Sequence, residues 1–103
     1  MLKSKKEYLK QYLYQETIIN SLMQFSVIYP EREEEYKLKI LKCNKIRKDI
    51  EEKISAVEDT LLREILYNKY VFGKTLEQIA YILNYSKRHI ERLHIKALEK
   101  IEI

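Results

Sequence analysis

Only two residues in this chain are built to interrupt a helix, Pro30 and Gly73, and they lie far apart. Turns that need positive φ have almost no glycine to use. A chain so poor in Gly and Pro, and so rich in Lys, Glu, Leu and Ile, is expected to be all-α. Its β-branched residues are mostly Ile at helical spacing, not in alternating runs. The 103 residues are one domain's worth of chain, and 46% are apolar, enough for a thin core shared between long helices.

Pro30 divides the first half. The residue before a proline avoids helical geometry, so the first helix should end by about Phe25, with a break over residues 26–31. Its apolar stripe is Leu9, Tyr12, Leu13, Ile19, Leu22 and Met23. Pro30 suits the first turn of a second helix, and Glu31, Glu33, Glu34 and Glu35 complement the dipole at its start as a solvated, charged turn. That helix is expected from about Glu31 to Val57 or beyond. Its seam is Ile40, Cys43, Arg47, Ile50, Ile54, Val57 and Leu61, with steps alternating three and four as in a heptad. Two helices joined by a short turn fold back as an antiparallel hairpin, but the same seam can also pair two chains in a homodimer. The sequence permits both.

A third helix begins near Asp59 or Thr60, carries Leu61, Leu62, Ile65, Leu66 and Tyr70, and is closed by Gly73 as a left-handed cap. Residues 1–57 thus read as a hairpin or coiled coil for dimerisation or partner binding. Residues 58–103 read as a separate functional region of three helices.

The densest local information lies in that second region. Thr75 and Gln78 fit a capping box. Leu76, Ile79, Ala80 and Leu83 form an inward face, and Ala80 is small where two helices must cross closely. Asn84 falls where positive φ is needed, and is the best substitute for Gly. Tyr85 is an apolar anchor in the turn, Ser86 is an N-cap, and the last helix buries Ile90, Leu93, Ala97 and Ile101. Together these offsets define a helix-turn-helix.

At 100° per residue the opposite side of the last helix presents Arg88, Arg92 and Ile95, flanked by Lys87, His89, Glu91 and Lys96. Four of the five charges between Ser86 and Leu98 are positive. This local excess, more than the net charge of +4, is the footprint expected of a DNA reader. Arginine makes bidentate contacts to guanine, whereas Lys87 and Lys96 suit phosphates by residue type. Glu91 can accept from cytosine or orient Arg88 or Arg92. Ile95 is outward and apolar, suited to a thymine methyl or to a protein partner.

The stretch from Leu61 to Ile101 resembles region 4 of sigma-70-type RNA polymerase sigma factors, which reads the −35 promoter element. The resemblance rests on Tyr70-Val71-Phe72-Gly73, Thr75-Leu76-Glu77-Gln78-Ile79-Ala80 and Lys96-Ala97-Leu98. The run from Leu83 to His94 is more similar still to the ArpU and RinA type of phage transcriptional regulators. The resemblance implies base contacts from Lys87, Arg88 and Arg92, and backbone contacts from Ser86, His89 and Lys96. Glu91 stands where a basic residue is common, and Ile95 where a small one is usual. No counterpart of sigma region 2 is present, so a regulator acting beside polymerase is expected rather than a complete sigma factor.

The expected function is therefore sequence-specific binding of double-stranded DNA to regulate transcription, in a phage or prophage setting. The alternatives are a helical interaction module acting on RNA polymerase, or a DNA-packaging component like a small terminase subunit. No enzymatic activity, cofactor or metal is expected. His89 and His94 are five apart, not on one face as a zinc pair requires. His94 reads as a packing residue, and Cys43 as a buried seam residue without a neighbouring base. The nine tyrosines are scattered among core positions, which favours packing over stacking on single strands. A single cysteine and the lack of a long apolar run predict a cytoplasmic protein without signal peptide or membrane span.

Overall fold

The computed structural model describes residues 1–103 and contains helices and no strands. The α1 helix spans Leu2–Ile28 and α2 spans Glu33–Ser55, joined by a 3-10 turn at Pro30–Arg32. Three further helices follow: α3 at Thr60–Leu66, α4 at Leu76–Leu83 and α5 at Lys87–Glu99. The molecule measures 51 × 26 × 21 Å, and the α1–α2 hairpin supplies the long axis. No helix is long and apolar enough to cross a membrane.

α1 continues three residues past Phe25, because nothing before Tyr29 opposes it. Tyr29 then takes φ −123°, ψ 70°, the non-helical geometry that a following proline favours. Its N–H still donates to the Phe25 carbonyl at 2.7 Å. The buried residues of α1 are Leu9, Tyr12, Gln15, Ile19 and Leu22, and those of α2 are Tyr36, Cys43, Ile50 and Ile54. The heptad seam therefore pairs within the chain, and the two-chain use of that seam is not adopted. Met23, expected in the stripe, is 56% exposed. It lies 100° around the helix from Leu22, which holds the seam position. Leu61 also leaves the seam: α2 stops at Ser55, the chain turns, and Leu61 packs half-buried against the helix-turn-helix instead.

Arg47 is tolerated on the seam because its guanidinium reaches sideways. It lies 4.8 Å from the centroid of the Tyr12 ring and donates to Tyr12 Oη at 3.2 Å. Tyr12 in turn donates to Glu51 Oε1 at 2.6 Å. Tyr8 makes the equivalent cross-hairpin bond to Asp49. Of the remaining tyrosines, Tyr36 and Tyr70 are buried and Tyr67 is half-buried, but Tyr14, Tyr29, Tyr81 and Tyr85 are exposed. Packing thus accounts for only part of the tyrosine content.

Three apolar clusters follow one another along the molecule. Ile19, Leu22, Tyr36 and Cys43 fill the hairpin near its tip. Leu9, Tyr12, Ile50, Ile54, Val57, Leu62, Leu66, Tyr70, Ala97, Leu98 and Ile101 form the main core. Ile65, Ile79, Ala80 and Ile90 form the third. The main core draws on α1, α2, α3 and α5 together, so residues 1–57 and 58–103 share one hydrophobic interior.

α3 is capped by Asp59, whose carboxylate accepts from the Leu62 N–H at 3.0 Å. Arg63 reaches back to donate to the Val57 carbonyl at 2.8 Å, tying α3 to the end of α2. A five-residue π turn, Tyr67–Val71, extends α3 and buries Tyr70. Gly73 then adopts φ +69°, the left-handed closure expected of it.

Candidate nucleic-acid interface

α4 and α5 form the helix-turn-helix. Thr75 Oγ1 accepts from the Gln78 N–H at 3.1 Å, and Gln78 Oε1 accepts from the Thr75 N–H at 2.8 Å. The capping box is complete. Asn84 sits at φ 60°, ψ 44°. The Tyr85 N–H donates to the Ala80 carbonyl at 2.9 Å, and the Asn84 N–H to Tyr81 at 3.3 Å. This is a Schellman closure with asparagine in place of glycine. Ser86 Oγ then accepts from the His89 N–H at 3.1 Å and starts α5.

Beneath the turn, Ile79 and Ile90 are fully enclosed against Ile65, with Ala80 between the helices. α5 has a double role. Its first turn rests on the third cluster through Ile90, and its last turns enter the main core through Ala97 and Leu98. Its orientation is thereby fixed at both ends. Ile101 is buried as expected, although α5 ends at Glu99 and the residue lies in the tail beyond it. Leu93 is half-buried between the two clusters.

His94 is buried, as a packing reading requires, and is also bonded: its Nε2 lies 2.7 Å from Tyr70 Oη. Burial, with Lys69 and Lys6 nearby, pushes His94 down to about 4, so its imidazole is neutral near pH 7. Burial likewise raises the Tyr70 phenol to about 12. Both partners of this bond are therefore uncharged near pH 7.

The outward face of α5 divides in two. Arg88, Arg92 and Lys96 fall four apart, on a ridge one turn per step. All three are exposed and none forms an ion pair. Ile95, 46% exposed, stands beside them, lining a shallow open concavity with His89, Arg92, Leu93, Lys96 and Glu99. Lys87 is placed differently. Its ammonium lies 3.1 Å from Glu77 on α4 and 3.9 Å from Glu91. Glu77 thus bridges the two helices, and Glu91 faces Lys87 rather than Arg88 or Arg92. Both pairs are exposed, so their strength is small and salt-screened. His89 is half-buried, with its ring 5.0 Å from Tyr85 and its Nδ1 3.5 Å from Arg92 Nη2.

Three features were not legible in the sequence: the Glu77–Lys87 bridge, the tilted Tyr85–His89 ring contact and the π turn. The bridge arises from the crossing of α4 and α5, which brings Glu77 to Lys87, whereas the Tyr85–His89 contact is local, between the turn and the first turn of α5. Comparison of the chain with protein families, curated proteins and solved structures finds no match.

Proposed function

We propose that this chain is a sequence-specific binder of double-stranded DNA that regulates transcription, of the phage or prophage type, and that it inserts α5 into the major groove. The observation that supports this best is the unpaired Arg88–Arg92–Lys96 ridge on a helix held rigidly from behind. Cations left without carboxylate partners on a convex helix face are what phosphates and base edges require. Arg88 and Arg92 read bases, joined by Lys87 once it exchanges Glu77 for DNA. Ser86 and His89, at the start of α5, and Lys96, toward its end, contact the backbone, and Ile95 meets a thymine methyl. Such a regulator works in the cytoplasm.

A second reading, a helical module docking on RNA polymerase, is favoured by Tyr81 and Ile82. These apolar residues of α4 stand exposed beside Lys74 and Glu77. Selection of bound sequences from a random duplex pool separates the two. Enrichment of a defined motif supports the DNA reader; a pool that stays random rejects it in favour of the docking module.

A further inference from the structure

The α1–α2 pairing consumes one side of α2 and leaves the other bare. On that bare side, residues spaced three and four apart read Glu34, Leu38, Leu41, Lys45 and Lys48, with Glu31 just before them in the 3-10 turn. All are exposed. Leu38 and Leu41 are 62% and 64% exposed, although each lies within α2, and neither touches an apolar cluster.

The charges in line with this leucine pair are segregated by sign. Along the stripe itself Glu31 and Glu34 precede the leucines and Lys45 and Lys48 follow them, while the neighbouring Lys37 and Lys39 are paired with Glu33, Glu34 and Glu35. Glu34 has one partner, Lys37, at 3.6 Å, and its side chain stays 88% exposed. Lys45 and Lys48 form no ion pair within the chain.

A stripe of this kind is complementary to itself when reversed. With a two-fold axis between Leu38 and Leu41, each Leu38 faces the other chain's Leu41. Glu34 then faces Lys45, and Glu31 faces Lys48. Run parallel, the same stripe sets Glu34 against Glu34 and Lys45 against Lys45. We infer that the outer face of α2 is an isologous, antiparallel docking surface for a second copy of this chain. An isologous contact uses the same patch on both partners, as this pattern does. Heptad spacing with charged flanks sets both orientation and partner choice. The apolar centre is only four leucines, so the dimer is weak and salt-sensitive.

Sedimentation of the full chain across a concentration series, at low and high salt, tests this. The wild type should pass from monomer to dimer as concentration rises, with weaker association in high salt. Glu34→Lys and Lys45→Glu should each weaken association about tenfold, because each turns two attractive contacts repulsive. The double variant Glu34→Lys/Lys45→Glu should restore it, which only the antiparallel register allows. Leu38→Glu should abolish the dimer while its helical melt stays that of the wild type, since the side chain is exposed. A chain that stays monomeric at every concentration overturns the inference. So does a dimer indifferent to Leu38→Glu, or one that the double charge exchange fails to rescue.

Discussion

Tyr70 Oη is hydrogen-bonded to His94 Nε2 at 2.7 Å inside the main core, joining the π turn after α3 to the inner face of α5. Burial there keeps His94 neutral. The folded protein keeps it so down to about pH 4, whereas an unfolded chain takes up the proton near 6.5. Acid therefore favours unfolding: the stability present at pH 7 is lost as pH falls from about 6.5 towards 4, and no more is lost from this group below that. The loss should be on the order of 2 kcal/mol. Urea unfolding at pH 7 and pH 4.5, on wild type and His94→Gln, isolates it, because the carboxylates cancel in the comparison. His94→Gln should be the less acid-sensitive protein; equal sensitivity would remove His94 as the cause.

The turn between α4 and α5 rests on Asn84 in the left-handed region. Asn84→Ala should cost about 1 kcal/mol, because a β-carbon without asparagine's local hydrogen bonding is strained there. Asn84→Gly should stay within about 0.5 kcal/mol of the wild type. Chemical denaturation midpoints read both, and an alanine variant as stable as the glycine one would mean that the turn can relax.

The shared core makes a deletion prediction. Residues 55–103 alone would expose Leu62, Leu66, Tyr70, Ala97 and Leu98, which rest on Leu9, Tyr12, Ile50 and Ile54. That fragment should give a largely disordered far-ultraviolet spectrum without a cooperative melt. A sharp two-state transition would show that the helix-turn-helix folds without the hairpin.

Much of this was legible in the sequence, and the reason is local. Thr75, Gln78, Asn84 and Ser86 each act on backbone groups within a few residues, so their spacing alone predicts their geometry. Gly73 is of the same kind, and the burial of Cys43, Ile50 and Ile54 follows from their helical spacing. Where the seam and Lys87 were concerned, the deciding partner was remote. The seam could have served one chain or two until the hairpin closed. Lys87 looked free until the α4–α5 crossing brought Glu77 within 3.1 Å. Gln15 is buried on α1, bonded to Gln11 at 3.2 Å, and no apolar periodicity announces it.

The Glu77–Lys87 bridge offers a test that separates stability from binding. Both groups are exposed, so Glu77→Gln should change stability by less than about 0.5 kcal/mol. Under the DNA-reading proposal it should also tighten duplex binding and steepen its salt dependence by about one counterion, as Lys87 is released to DNA. Unchanged affinity in Glu77→Gln would leave Lys87 out of the interface.

The central claim is that Arg88 and Arg92 read bases from a helix anchored at both ends. It is tested most directly by titrating the duplex enriched from a random pool, and a scrambled control, with wild type, Arg88→Ala and Arg92→Ala. Each substitution should cost about 1–3 kcal/mol on the enriched duplex and much less on the control, narrowing the gap between them. Equal affinity of all three proteins for the enriched duplex would contradict the account.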